Sequence, residues 1–211
     1  MKEADKACAA DLQKSGTSQG MIQVYTGNGK GKTTAAIGLA VRAVGAGKKV
    51  MFLQFLKAKG YSEHKSLAVF GDKLTLETVG KPFFIAPEGT MSEEDIAKFG
   101  ESVVIFPPGN PPAEYRALVE RGLERARQVL AGGEYDLVVL DEINVALSFN
   151  LVKWPDLEAV LDSRNPAVEV VLTGRGAPEE LIRKADLVTE MKEIKHYYHD
   201  LGLEARLGIE N

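Results

Sequence analysis

Hydrophobic positions form short continuous runs that alternate with longer amphipathic stretches along most of the chain. Such runs are typical of parallel strands covered on both faces. They predict strands at residues 21–25, 49–56, 135–140 and 168–172, with weaker ones at 74–79 and 187–189. Helical spacing of apolar residues, together with Pro, Gly and charge signals, predicts helices over 113–131, 155–161 and 179–185. Strands alternating with helices predict an α/β fold with a mostly parallel central sheet and helices on both faces.

The helix expected after residue 31 is apolar on almost every side and ends at a glycine-rich stretch, residues 45–47. Its larger apolar residues are Ile37, Leu39, Val41 and Val44. A helix that is apolar on almost every side is predicted to be buried against the sheet.

Residues 80–112 form the least regular stretch, rich in glycine and proline. Within it, Ser92 and Asp95 form a capping box, which predicts a short helix that ends near Phe99. Irregular segments of this length in compact domains are usually functional.

Composition narrows the class of protein. The chain has 211 residues, of which 45% are hydrophobic, so we expect one domain of ordinary size. Its net charge of −4 argues against a general nucleic-acid binder. Cys8 is the sole cysteine, and no apolar run has the roughly 18 residues of a membrane span. These features predict a cytoplasmic protein with no membrane partner, in which a flexible arm, residues 1–19, precedes a domain at residues 20–211.

The strongest chemical signal is the sequence TGNGKGKTT at residues 26–34, between the first predicted strand and helix. Glycines let backbone N–H groups turn toward an anion, the lysine meets phosphate oxygens, and a hydroxyl reaches Mg²⁺. Thr26 stands where the usual loop has its first glycine, so the loop is one residue short. It still predicts a nucleoside triphosphate site in a single P-loop domain of the RecA-like class.

Asp141 and Glu142 follow a buried strand and are expected at the ligand edge of the sheet, where carboxylates bind Mg²⁺. Arg175, between two glycines, is expected at the same edge, and Arg42 lies in the first helix. Either guanidinium is suited to phosphate. A surface position for Arg175 and a helix salt bridge for Arg42 remain the alternatives.

Phe83 and Phe84 lie outside the clear core elements. Adjacent loop aromatics suit two roles: they line a hydrophobic pocket for a large planar ligand, or they pin the loop to the core. Both interpretations stay open at the level of sequence.

Several motifs together resemble the P-loop ATP:corrinoid adenosyltransferases. They are TGNGKGKTTAA, VRAVGAGK, VMFLQFLK, VVLDE, LTGRGAP, ADLVTEM and GLEARLGIE, and they span about residues 21–210. The short phosphate loop is the form found in that family. The resemblance implies transfer of the 5′-deoxyadenosyl group of ATP to the Co(I) of a reduced corrinoid, with release of tripolyphosphate. It also implies that ATP lies along the loop in the reverse of the usual sense.

The resemblance, read with the motif chemistry, assigns roles to individual residues. Lys32, Thr33, Glu142 and Arg175 are the expected catalytic residues. The expected ATP-binding residues are Gly27, Asn28, Gly29, Lys30, Gly31, Lys32, Thr33, Thr34, Arg42 and Arg175. Thr33, Asp141 and Glu142 are expected to hold Mg²⁺, and Phe83 and Phe84 to contact the corrinoid and favour its base-off state.

The implied partners are ATP, the corrinoid, an electron donor such as a reduced flavoprotein, and a second copy in a homodimer. Two other functions remain open. One is a P-loop NTPase or kinase with γ-phosphate chemistry, and the other is a non-catalytic ATP- or corrinoid-binding module.

Overall fold

The computed structural model describes residues 19–210, apart from the side chain of His199. The arm predicted at residues 1–19 falls almost wholly outside this range, so it stays a prediction, as does its division from residues 20–211. Within the described residues, no helix is both long and apolar enough to cross a membrane.

Six of the strands lie close to their predicted positions, and β4 and β5 fall in the stretch that was predicted to be irregular. They are β1 (Ile22–Thr26), β2 (Val50–Phe55), β3 (Leu74–Val79), β4 (Phe84–Pro87), β5 (Val103–Phe106), β6 (Leu137–Asp141), β7 (Glu169–Thr173) and β8 (Leu187–Glu190). The helices are α1 (Lys32–Gly45), α2 (Ser62–Ala68), α3 (Glu93–Phe99), α4 (Ala113–Gly132), α5 (Ile143–Ser148), α6 (Trp154–Asp162), α7 (Glu179–Lys184) and α8 (Tyr197–Leu201).

Six strands form one sheet in the order β3-β2-β6-β7-β1-β8, and every neighbouring pair is parallel. The predicted parallel sheet is therefore confirmed. Gln54 pairs with Asp141, and Tyr25 pairs with Thr173. Because all strands run the same way, their carboxyl ends share one edge, where ligands bind in open α/β sheets.

Helices cover both faces of this sheet, as predicted. On one face, α1 and α2 pack against apolar side chains of β2, β3, β6 and β7. On the other face, α4, α5, α6 and α7 contribute to a larger core with side chains of β1, β2, β6 and β7.

As predicted, α1 packs against the sheet, but it is not buried on every side. Only its small residues, including Ala36, Ala40 and Ala43, are buried together with Lys32, while Val41 is 42% exposed. Alanines at this spacing let the helix lie close to the sheet, so its larger apolar residues lie at the sides or face outward.

Two regions have more structure than the sequence indicated. In the irregular stretch, β4 and β5 pair in parallel as a separate two-stranded sheet, with α3 between them along the chain. Ser92 caps α3 by accepting from the N–H of Asp95, as the capping box predicted. The polar segment after β2 contains α2, a helix that was not predicted from the sequence.

Candidate functional site

The glycine loop between β1 and α1 is held against the backbone that follows β8. The N–H of Gly29 donates to the carbonyl of Met191 at 2.7 Å, and a Cβ at Gly29 would lie 2.7 Å from that same oxygen. Gly31 has a φ of 115°, a left-handed conformation that favours glycine. The loop therefore needs its glycines for close packing as well as for its turn. The Gly29 amide is paired with Met191, so its predicted role as a phosphate donor stays a prediction.

Lys32 is buried and folds back over the loop. Its ammonium donates to the carbonyls of Gly27 and Gly29, both at 2.7 Å. Burial lowers the pKa of Lys32, and the charge of Arg175 lowers it further. Among the described residues, the hydrogen-bond partners of this cation are backbone carbonyls and no carboxylate forms an ion pair with it, so it is available to an incoming phosphate.

Asp141 ends β6 and lies fully buried beneath the loop. Its Oδ1 accepts hydrogen bonds from the hydroxyls of Thr33 at 2.9 Å and Thr173 at 2.6 Å. Its Oδ2 accepts from Gln54 Nε2 at 3.1 Å and Lys57 Nζ at 2.9 Å. This carboxylate thus ties the first residues of α1 to the ends of β2 and β7.

Glu142 has a φ of 62°, an uncommon conformation for a residue other than glycine. Its N–H donates to Thr173 Oγ1 at 3.0 Å, which holds the turn between β6 and α5. Burial raises the pKa of Glu142, and the charge of Asp141 adds to this effect. Backbone strain and a raised pKa both concentrate at functional sites.

A cavity of about 1020 Å³ opens at this edge of the sheet. The structure brings many of the predicted residues to its wall. These are Gly29, Lys30, Gly31, Lys32, Thr33, Thr34, Glu142, Arg175 and Phe84.

Other predicted residues lie elsewhere. Gly27 and Asn28 are outside the cavity lining, although the carbonyl of Gly27 holds Lys32. Arg42 is exposed in the last turn of α1, about 15 Å along the helix from Lys32 at 1.5 Å per residue, and does not line the cavity. Its predicted contact with phosphate is not supported, because the helix carries it away from the loop.

The two adjacent phenylalanines have different surroundings. Phe83 is half-buried against the main core, and its ring meets that of Tyr115 edge to face at 5.8 Å. Phe84 is 53% exposed, contacts the ring of Phe99 and lines the large cavity. Phe83 also lines a neighbouring groove of about 250 Å³. The two roles considered for the pair therefore fall on different residues. Phe83 anchors the segment to the core, and Phe84 faces the cavity.

The C-terminal segment forms part of the cavity wall, which the sequence analysis did not predict. His196, Ile209 and Glu210 line the cavity, and Lys30 Nζ donates to the carbonyl of Ile209 at 3.4 Å. Tyr198 donates its hydroxyl to Asp95 of α3. The segment thus connects the phosphate loop with the helix beside Phe84.

Sequence analysis also missed Lys57 and Gln54. A signal was present for Gln54, which is a polar residue in the otherwise apolar and fully buried strand β2. Lys57 follows the carboxyl end of that strand, the edge where ligand-binding residues are expected. Burial by itself lowers the pKa of Lys57, but attraction to Asp141 and the hydrogen bond that Lys57 donates to it outweigh burial, so the pKa of Lys57 is raised.

The donor set at this edge fits magnesium. The hydroxyl of Thr33 and the carboxylates of Asp141 and Glu142 are oxygen ligands, which Mg²⁺ prefers, and it commonly binds through one or two carboxylates and keeps several waters. In the part of the chain that the structure describes, no group of three or more His, Cys, Asp or Glu forms a metal cage. The site therefore suits a phosphate-bound Mg²⁺ better than a metal held by protein alone.

The sequence has close relatives over its whole length. Residues 18–211 match the family described as ATP:corrinoid adenosyltransferase BtuR/CobO/CobP. A corrinoid adenosyltransferase of Escherichia coli (strain K12) is 32% identical over 210 residues, covering 100% of this chain and 93% of that protein. One from Sinorhizobium sp is 33% identical, covering 100% and 90%, and one from Pseudomonas aeruginosa is 34% identical, covering 91% and 84%.

A KaiC-like protein from Pyrococcus horikoshii OT3 superposes with a TM-score of 0.43 and 19% identity, over 84% of this chain and 75% of that chain. This similarity is low, and the fold assignment rests on the strand order. Because the family match covers residues 18–211 and the relatives exceed 30% identity, the chain belongs to the ATP:corrinoid adenosyltransferase family.

Proposed function

We propose that this protein transfers the 5′-deoxyadenosyl group of ATP to the Co(I) centre of a reduced corrinoid and releases tripolyphosphate. One observation carries the proposal. A single cavity has the cationic phosphate loop and the acidic end of β6 on one side and the exposed ring of Phe84 on another. A polyphosphate and a large apolar ring system are the two kinds of ligand that such walls suit. Membership of the family supports the same pair of substrates.

The chemistry asks little of a side chain. Cobalt(I) gives an electron pair to C5′ of ATP, the C5′–O5′ bond breaks, and the triphosphate leaves with the pair from that bond. No protein nucleophile or general base takes part. Catalysis then depends on stabilising the charge of the leaving group and on aligning the attack.

The phosphate side supplies charge stabilisation. Lys32 and Arg175 line the cavity as cations, and Lys30 is exposed beside them. Because the described partners of Lys32 are carbonyls, it exchanges them for phosphate oxygens without breaking an ion pair among these residues. Mg²⁺ held by Thr33, Asp141 and Glu142 would neutralise further phosphate charge. The reverse orientation of ATP that the resemblance implies belongs to this proposal.

The apolar side positions the corrinoid. The half-exposed ring of Phe84 offers an apolar surface to the corrin ring or to its axial side. Excluding a lower axial ligand there makes reduction to Co(I) easier. The proposal also includes a reduced flavoprotein as electron donor, a homodimeric assembly and a cytoplasmic location.

The test is the appearance of a cobalt–carbon bond. Protein, ATP, Mg²⁺ and chemically reduced corrinoid are mixed in the dark, and the absorbance is followed before and after illumination. We expect a new light-sensitive spectrum that requires all four components and that Lys32→Ala suppresses. Ligand binding without a light-sensitive product would instead identify a non-catalytic binding module.

A further inference from the structure

The ammonium of Lys57 lies among the oxygens that the proposed magnesium site uses. It donates to Asp141 Oδ2 at 2.9 Å and to Thr33 Oγ1 at 3.3 Å. Thr33 and Asp141 are also joined directly, at 2.9 Å. One protein cation therefore bridges the hydroxyl and the carboxylate that are expected to bind Mg²⁺.

Lys57 and a magnesium ion are in conflict at this position. A divalent ion on Thr33 and Asp141 needs the lone pairs that face Lys57, and two cations a few ångströms apart repel each other strongly in a partly buried site. Asp141 is fully buried and the side chain of Lys57 only 16% exposed, so water screens this repulsion weakly. The metal therefore binds with its full affinity only when the ammonium of Lys57 moves away.

The backbone of Lys57 is fixed, so any movement is confined to its side chain. The N–H of the preceding residue, Leu56, donates to Val79 at 2.7 Å. Gly80 packs so closely that a Cβ there would lie 2.5 Å from the Lys57 nitrogen. The flexible four-carbon side chain of lysine is well suited to moving its charge under such a constraint.

A second acceptor is within reach. Glu63 Oε1 lies 4.0 Å from Lys57 Nζ, and the side chain of Glu63 is only 17% exposed. Gln54 Nε2 lies 3.3 Å from Glu63 Oε1, which helps to keep that carboxylate in place. A shift of about 1 Å would bring the ammonium to hydrogen-bond distance from Glu63. The ring of Tyr61, whose centroid is 5.5 Å from Lys57 Nζ, offers a further favourable contact.

We propose that the ammonium of Lys57 competes with the divalent cation for Asp141. When the metal binds, this ammonium moves from Asp141 to Glu63. This inference rests on the proposed function for the location of the metal. The exchange keeps the carboxylate at the end of β6 paired with a cation in both arrangements. It makes metal affinity depend on Lys57 and Glu63, neither of which is a metal ligand.

The experiment measures binding of Mn²⁺ alone to the full chain without nucleotide, by loss of the free-ion electron paramagnetic resonance signal. Lys57→Met removes the competing charge, and Lys57→Gln removes it while keeping a polar partner for Asp141. We expect both variants to bind Mn²⁺ about tenfold more tightly than the unchanged protein. Lys65→Met, which removes an exposed charge from α2, is the matched control and should leave the affinity unchanged.

Glu63→Gln separates a receiving role from a general effect of negative charge. As a single substitution, we expect it to weaken Mn²⁺ binding about threefold. When it is combined with Lys57→Met, we expect no effect, because no ammonium then needs a new partner. Equal weakening in both backgrounds would overturn the role of Glu63. The competitor role would be overturned if Lys57→Met and Lys57→Gln do not raise the affinity for Mn²⁺. Undetectable Mn²⁺ binding in the unchanged protein and in all variants would count as the same result.

These outcomes are distinct from the fate of the proposed function. Adenosyl transfer by the unchanged protein together with unaltered Mn²⁺ affinity in the variants would reject this inference alone. Tighter Mn²⁺ binding without adenosyl transfer would reject the proposed function and keep the competition at Asp141.

Discussion

The two sides of the cavity are built in contrasting ways. On the phosphate side, the buried Asp141 accepts four side-chain hydrogen bonds between 2.6 and 3.1 Å, and the loop backbone is tied to Met191. On the apolar side, Phe84 is half exposed and contacts Phe99, itself 39% exposed. The Lys98–Glu204 ion pair and the hydroxyl of Tyr198 connect the C-terminal segment with α3.

This difference matches the demands of the two substrates. A departing triphosphate needs charges already in place, because reorganising them during the reaction would raise the barrier. A corrinoid is large and must enter and leave, so a wall with few buried contacts suits it, since such regions open at low free-energy cost. The contrast predicts that changes on the phosphate side impair turnover or stability strongly, and that changes on the apolar side act more weakly and selectively.

Removal of the loop cation should have the largest effect. We expect Lys32→Ala to lower turnover at least about hundredfold, the scale seen when one group that stabilises transition-state charge is lost. The fold should survive, because the hydrogen bonds that Lys32 donates to described residues go to backbone carbonyls of its own loop. Turnover and the circular dichroism melt are measured together, and near-normal turnover in a folded variant would refute the assigned loop.

Loss of the buried carboxylate of Asp141 should lower the free energy of unfolding strongly. Asp141→Asn removes the carboxylate that lies 2.9 Å from Lys57 Nζ and leaves the lysine with the more distant Glu63, at 4.0 Å. Removing one member of a buried pair costs about 3–5 kcal/mol in the free energy of unfolding. Urea denaturation measures the change. The matched control is Glu134→Gln, which breaks the exposed pair with Lys49 and should hardly move the transition. Equal changes in the two variants would erase the contrast.

The adjacent phenylalanines offer a test within one dipeptide. Phe84→Ala should raise the KM for corrinoid about tenfold by removal of an exposed ring. It should leave the KM for ATP unchanged and alter the free energy of unfolding by less than about 1 kcal/mol. Phe83→Ala should cost about 2 kcal/mol of stability, because Phe83 packs against Tyr115, with a smaller effect on corrinoid. The reversed pattern would move the corrinoid surface away from Phe84.

The smallest effect concerns the C-terminal segment. Hydrogen bonds from Arg206 and Tyr197 lower the pKa of Glu210 from 4.5 to about 2. The ionised carboxylate therefore stabilises the segment above about pH 4.5, and this contribution is lost as the pH falls toward 2. After correction for intrinsic exchange rates, amide hydrogen exchange over residues 196–210 should be faster at pH 3 than at pH 6. Glu210→Gln should remove most of that difference, and an unchanged difference would assign the effect to other groups.

The phosphate side was the more predictable half of the molecule. Its loop is one continuous motif, and the carboxylates at 141 and 142 follow an apolar strand directly, so local pattern was enough to find them. The contacts that organise the site were not predictable in this way. Gln54 and Asp141 are 87 residues apart and meet only because β2 and β6 pair in register.

The apolar side was less predictable for a different reason. Nothing in the dipeptide itself tells which phenylalanine faces the core, because that depends on Tyr115 in a distant helix. The strands β4 and β5 have four residues each, too few to show a clear alternation. The C-terminal wall carries exposed apolar residues with no helical or strand period, so its place beside the phosphate loop emerges only from the folded chain.

Identification of the phosphate product tests the central claim most directly. Phosphorus-31 nuclear magnetic resonance of a reaction containing ATP, Mg²⁺ and chemically reduced corrinoid reports which bond of ATP has broken. Attack at C5′ predicts tripolyphosphate in equal amount to the light-sensitive corrinoid product, with neither formed when the corrinoid is omitted. ADP with orthophosphate, released without any corrinoid alkylation, would contradict the account and identify a γ-phosphate enzyme.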